Sequence, residues 1–434
     1  MFRAVPKSIF LVLLSTVLYS SLTAQSLAVS GKVQSSLTGE GLPYASISLD
    51  GTTLGTTSNI EGQYILTLTS QQQSGTLVIS SLGFATVRIP VTSALQSGTI
   101  LLKPAAVMLR EVEVRAEKQT LIEAAVAAVP RNYDNEAIIM KVFTRALSKR
   151  EDYPIQASEA AFEMYRGKIQ TKSKNNVREV RILRGRISRD SLAFRKIHQV
   201  NIGFTPTALF MLDMARESSL LHDPKKRDKH IFTLRGIITY NDRPAYKIEF
   251  DQKDSLKESG HQGLIYIDTA TLAFMHIEMG WSKKGLHYLT ETFENKAAAK
   301  ILGLHKSRWN YRDLVVDYSL NNGKWYLQRA TMKGSFQLIR EKEGLNTALI
   351  MDDLFLVTEV VKDKVVPFPD DEVARRHQHI EKQFEAYDAE FWKGYNYQLP
   401  DPGFKEIFEE IQHRNEASRA TRAPENKRTK RNRS

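Results

Sequence analysis

From Leu27 to Leu102 short apolar runs alternate with polar positions and stop at turn-forming residues. The runs are Ala28–Val33, Tyr44–Leu49, Gly55–Thr57, Gln63–Leu68, Thr76–Ser80, Thr86–Val91 and Gly98–Leu102. Their length and spacing predict seven strands of an antiparallel sandwich, with no room for a long helix. The breaks support this. Thr38-Gly39-Glu40-Gly41, Asp50-Gly51, Asn59-Ile60-Glu61-Gly62 and Ser74-Gly75 supply residues that accept positive φ or bond their own backbone. Tyr44, Ile47, Leu49, Tyr64, Leu66, Leu68, Val78 and Phe84 are expected to fill the space between the sheets.

The pattern then changes. Leu121–Pro130 places apolar residues at helical spacing and predicts a short amphipathic helix that stops at the proline. From Ala160 to Leu356 the chain reads as mainly β. Strands are expected at Ile231–Tyr240, Ala245–Asp251, Gly263–Asp268, Ala273–Met279, Lys306–Val316, Lys324–Lys333 and Asn346–Val360, with turns such as Asn241-Asp242 and Asn321-Asn322-Gly323. Successive hairpins of one curved antiparallel sheet are the economical arrangement. Beyond Pro367 the chain is richer in charge and helix formers.

The fold class is therefore mainly β: a sandwich followed by a larger α+β domain on an antiparallel sheet. The divisions are a leader at 1–24, the sandwich at 25–104, a connector strand and helix at 105–135, the β-rich domain at 136–366, a helical segment at 367–412 and a basic disordered tail at 413–434.

Four ordered segments resemble the carboxypeptidase-regulatory-like domain: Val29–Val33, Leu42–Ile47, Gly55–Tyr64 and Ser80–Phe84. The resemblance implies a transthyretin-like sandwich that acts as an accessory module and precedes receptors and envelope proteins in Bacteroidetes-type bacteria. Met108–Ala116 looks like the strand that follows this module in TonB-dependent receptors, although too little chain remains for a receptor barrel. Leu121–Pro130, Asn132-Tyr133, Phe143–Arg145, Ser158–Ala160 and Ala386–Asn396 resemble a recurrent arrangement in Bacteroidetes envelope proteins without an established activity; the aromatics of the last stretch are expected to clamp the chain end onto the sheet. Tyr246–Phe250, Gly263–Asp268 and Leu272–Glu278 look like the sheet of the periplasmic lipoprotein carriers, which implies a face able to hold an acyl chain; a plain structural sheet fits the same residues.

Composition adds location. Arg3 and Lys7, an apolar run over Ile9–Leu18 and small residues up to Ala24 have the layout of a secretory signal, with cleavage expected after Ala24; the run is too short for a spanning helix of ~20 residues. Export to the periplasm or the outer-membrane periphery is expected. The 434 residues contain no cysteine, which excludes disulfides, thiol catalysis and lipoprotein acylation. Half of the net charge of +12 lies in the tail after His413. That tail is either a solvated end or a contact for an anionic surface, and it lacks the aromatics that stack on bases, so no nucleic-acid partner is expected.

No residue pattern carries chemistry. His377 and His379 fall in a stretch read as helix, where a two-residue spacing turns them apart, so neither is assigned to a metal. Asp352-Asp353 and Asp370-Asp371 are adjacent and diverge, unlike a glycosidase pair. Nucleophile elbows and phosphate loops are lacking. The expectation is no catalytic, cofactor-binding or metal residues and no cofactor, hence a non-catalytic envelope protein with a protein partner. A carrier of a lipid or other apolar ligand is the alternative, and a hydrolase with an unrecognised site the third reading.

Overall fold

A computed structural model of the chain describes residues 27–105, 118–168, 177–196, 203–289, 308–340, 344–384 and 389–431. The expected leader and the expected connector strand at Met108–Ala116 lie outside these residues.

The sandwich consists of β1 (Leu27–Ser35), β2 (Ser46–Leu49), β3 (Gly55–Thr57), β4 (Gln63–Leu68), β5 (Thr76–Ser80), β6 (Val87–Pro90) and β7 (Thr99–Leu102), in sheets ordered β4-β1-β7 and β3-β2-β5-β6. Gly62 turns the chain into β4 at φ 83°, and a Cβ there would lie 2.3 Å from Val33 O. Ile47, Leu49, Tyr64, Leu66 and Leu68 join Val29, Val33, Leu77 and Ile79 in the core.

Three expectations are corrected. Val78 has the opposite strand phase from Leu77 and Ile79 and leaves the core to them. Tyr44, at φ 55°, lies outside the core and beneath the guanidinium of Arg329. The sandwich is also not wholly antiparallel. A short helix α1 (Val91–Ser97), capped by left-handed Gly98, carries the chain across so that β7 enters beside β1 in the same direction.

Helix α2 (Lys118–Asn132) covers the predicted stretch and continues past Pro130. The large sheet then forms from ten strands: β8 (Ile138–Arg150), β9 (Tyr153–Arg166), β10 (Arg178–Arg189), β11 (His230–Tyr240), β12 (Arg243–Gln252), β13 (His261–Asp268), β14 (Phe274–Trp281), β15 (Arg308–Asn321), β16 (Lys324–Arg340) and β17 (Leu345–Val361). All neighbours are antiparallel, in the order β10-β9-β8-β17-β16-β15-β14-β13-β12-β11. The seven expected strands are present, and β8 to β10 extend the sheet.

The two sheet faces have different cover. On one, Val142, Phe162, Ile277, Val316 and Phe355 pack with Ile122 and Ala125 of α2 and with Leu209, Phe210, Leu212, Met214, Ala215 and Leu221 from a run of short helices between Pro206 and Arg227. The other face carries the sandwich and the chain end. Residues 371–379, expected to be helical, form turns; helix occurs at α3 (Ala389–Gly394) and α4 (Phe404–Arg431). The α4 helix runs through the boundary at 413 where disorder was expected. Arg414 donates to Pro154 O at 2.6 Å and Asn415 Nδ2 to Arg189 O at 2.7 Å, which fixes the turn at that boundary. The Glu, Ala, Lys and Arg content beyond favours helix.

Candidate functional site

The expected clamp is real and larger than its aromatics. Trp392 and Tyr397 pack against Phe143, and Tyr395 Oη donates to Val142 O at 2.9 Å. From there the chain crosses as a strap between the sheet and the sandwich. Asn396 pairs with both backbone groups of Thr67 on the open edge of β4, accepting from N–H at 2.6 Å and donating to C=O at 3.2 Å. Gln398 Nε2 donates to Ser58 O at 2.8 Å and to Thr57 Oγ1 at 3.2 Å; Thr56 Oγ1 donates to Tyr397 O, and Asn59 Nδ2 to Pro400 O. Ile60 N–H finds Asp401 Oδ1 at 2.8 Å. On the sheet side, buried Arg145 pairs with buried Glu159 at 2.6 Å and donates to Gln398 O at 2.8 Å and Leu399 O at 3.2 Å. Arg186 completes the Glu159 carboxylate. A guanidinium with five fixed donors suits this task, joining one carboxylate and two backbone carbonyls in a buried interface.

A second polar group links the same two domains. His276 on β14 and Asp317 on β15 are register partners, and Asp317 faces Arg329 on β16. His276 Nδ1 lies 2.6 Å from Asp317 Oδ1, and its Nε2 lies 2.9 Å from Glu278 Oε1. Tyr240 Oη donates to Asp317 Oδ1 at 2.8 Å, and Arg329 Nε donates to Asp317 Oδ2 at 2.9 Å. The Arg329 guanidinium then stands 4.7 Å from the ring centre of Tyr44 in the sandwich.

Burial alone would lower His276, but Asp317 and Glu278 override it and raise its pKa to about 9. Burial would raise Asp317, but Arg329 and His276 hold it well below the ordinary carboxylate range. His276 is therefore an imidazolium with both nitrogens donating. The hydroxyl beside it, Tyr240, is pushed far up by burial and by Asp317. The arrangement is a cross-link.

A pair of adjacent acids lies on β17. Asp352 and Asp353 diverge as expected: Asp352 faces Lys333 at 3.5 Å, while Asp353 is buried. Burial and then Glu381 raise Asp353 well above its ordinary value, and burial raises Glu381 to about 7. His377 is exposed, and His379 is half-buried with burial lowering its pKa. Among the described residues no three His, Asp or Glu side chains converge as metal ligands, and no described helix is long and apolar enough to cross a membrane.

Sequence reasoning assigned no role to His276, Asp317, Arg329, Arg145 or Gln398. No spacing signal could have found them, because His276 meets Asp317 across 41 residues and Arg145 meets Gln398 across 253. Strand register brings His276, Asp317 and Arg329 together, and the strap brings Gln398 to Arg145.

Residues 29–114 match the model of the CarboxypepD_reg-like domain. No curated protein matches the chain in sequence. Among solved structures the chain is similar to a DUF1329 family protein from Desulfovibrio piger ATCC 29098, at 9% identity over 58% of this chain and 93% of that one, TM-score 0.26. It is similar also to a Vibrio parahaemolyticus domain of the outer membrane lipoprotein-sorting kind, at 9% identity over 58% and 95%, TM-score 0.26. Lipovitellin matches at 8% identity over 59% of this chain and 28% of its own, TM-score 0.25. At these values the likenesses assign neither activity nor ligand to this chain.

Proposed function

We propose that this protein, a CarboxypepD_reg-like domain followed by a ten-stranded antiparallel sheet, is a non-catalytic exported scaffold of the cell envelope that presents a rigid two-domain surface to a protein partner. The observation that supports this reading is the junction. The strap from Asn396 to Asp401, with Arg145 and Arg329, joins the sandwich to the sheet through buried polar contacts. A module held this way serves as part of a platform more readily than as a tethered regulator of a separate enzyme. Export rests on the leader-like layout of residues 1–24. Contact of the basic chain end with an anionic membrane surface fits the same setting.

The carrier reading stands second. Its support is the general chemistry of the helix-covered face, which is rich in Phe, Leu, Met and Ile; against it, the described side chains of that face pack on one another. The test is a native mass spectrum of the mature protein taken gently from an envelope fraction. The scaffold predicts a bare polypeptide mass that shifts only with a co-purified protein. A stoichiometric lipid-sized addition would replace it with the carrier, and turnover of peptide or glycan substrates would revive the hydrolase.

A further inference from the structure

Strand β10 ends the large sheet: β9 pairs with its inner side, and among the described residues no strand pairs with its outer side. That outer side is held near both ends. Ala374 N–H donates to Val180 O at 2.7 Å, and Asn415 Nδ2 donates to Arg189 O at 2.7 Å. Val180 and Arg189 differ in strand phase, and the register shift between Ile182 and Arg184 explains why both point outward, since one extra residue reverses the phase. Beyond the bulge, Gly185 and Ile187 share the phase of Arg189 and direct their N–H and C=O groups outward. This stretch opens on two cavities of 690 and 560 Å³, the first bordered by residues 181–184 and the second by residues 185–187. At ~3.3 Å per residue, Ile182 to Ile187 offers about 17 Å of strand edge, enough for an added strand of about five residues.

The walls restrict what would fit. The first cavity carries Arg181, Arg184, Arg375 and Lys382 against Asp371 and Glu372. The second offers the rings of Phe384, Phe404 and Phe408, with Arg186 and Lys405 set against Glu381 and Glu409, so the excess of basic groups lies in the first cavity and the apolar surface in the second. Gly185 is needed here, because a Cβ would lie 2.5 Å from the Phe384 ring. A second copy of β10 is a poor occupant, since pairing would bring Arg178, Arg181, Arg184, Arg186 and Arg189 against their equivalents.

We infer that the outer edge of β10 between Val180 and Arg189 binds an extended acidic polypeptide segment with alternating apolar side chains, which joins the large sheet as an added strand. Main-chain hydrogen bonds supply affinity in this mode and alternate side-chain pockets supply specificity. The inference deepens the scaffold reading and rests on it.

The test uses the full mature chain and a labelled ten-residue peptide alternating Asp or Glu with Val or Ile. Two further probes are the same peptide N-methylated at alternate residues, which removes donors along one edge, and a version with Lys in place of the acids. Anisotropy is expected to show saturable binding of the acidic peptide, at least tenfold weaker for both other probes and at least tenfold weaker with Arg375→Glu. Hydrogen exchange is expected to slow at residues 182–187 only. Equal binding of the three probes, or no binding with exchange of this stretch unchanged, overturns the inference. A native partner that cross-links elsewhere also overturns it and leaves the scaffold intact, whereas absence of any protein partner removes the scaffold itself.

Discussion

Replacing His276 by Gln tests whether the buried imidazolium is a cross-link. In the folded protein Asp317 and Glu278 raise its pKa from 6.5 to about 9 against the opposing effect of burial. A pKa raised in the folded state contributes stability that is complete below the unfolded value, near pH 6.5, and is lost as pH climbs through 9. The shift corresponds to about 3 kcal/mol at 1.36 kcal/mol per pH unit. Chemical denaturation of wild type and His276→Gln at pH 6, 7.5 and 9.5, followed by the fluorescence of the four tryptophans, gives the difference in unfolding free energy. That difference should be largest at pH 6 and shrink by about 3 kcal/mol by pH 9.5. Comparing the two proteins at each pH cancels groups common to both. A difference that stays flat over this range would mean that His276 is neutral and would reopen it as a proton-transfer group.

Other perturbations act on separate parts of the junction and core. Arg145→Met leaves Glu159 with Arg186 but strips the donors from Gln398 O and Leu399 O; a loss of about 2–4 kcal/mol is expected, with faster hydrogen exchange across residues 396–401. Glu381 has its pKa raised by burial to about 7, so its ionisation costs stability as pH rises from its unfolded value, and the cost is complete above pH 7. Glu381→Gln should therefore stabilise the protein by about 2–3 kcal/mol at pH 8 and by little at pH 4, read from denaturation midpoints. Gly62→Ala forces a side chain into φ 83° and against Val33 O; about 1–3 kcal/mol of destabilisation is expected, with protection lost first in β4.

The sandwich was legible because its strands are short and their ends are marked. Gly55–Thr57, Gln63–Leu68 and Thr76–Ser80 coincide with the predicted runs, since the turns at Asp50-Gly51 and Asn59–Gly62 fix where each strand starts or stops. Strands β8 and β9 were hidden by burial. Their central residues are buried on both faces, one under the α2 and 206–227 helices and one under the strap and α4, so the alternation that marks a half-buried strand is lost. The turn between them is Glu151-Asp152, where Glu151 takes φ 57° without a glycine to announce it. The chain end is a separate case. Charge density suggested solvation beyond 413, but Arg414 and Asn415 have partners on β9 and β10 that no local pattern reveals. The polar cross-links were illegible for the same cause, because His276, Asp317 and Arg329 meet through strand register and Gln398 reaches Arg145 through the strap, contacts that no local pattern marks.

The account stands on the sandwich and the large sheet being one platform, and hydrogen exchange of the full chain through a denaturant series tests that most directly. Amides of β1 and β4 report the sandwich, and those of β8 and β17 report the sheet. The account predicts that both sets lose protection together, and that Arg145→Met separates them. Loss of β1 and β4 protection in the wild-type protein at clearly lower denaturant, with β8 and β17 still closed, would contradict it and return the sandwich to the status of a tethered module.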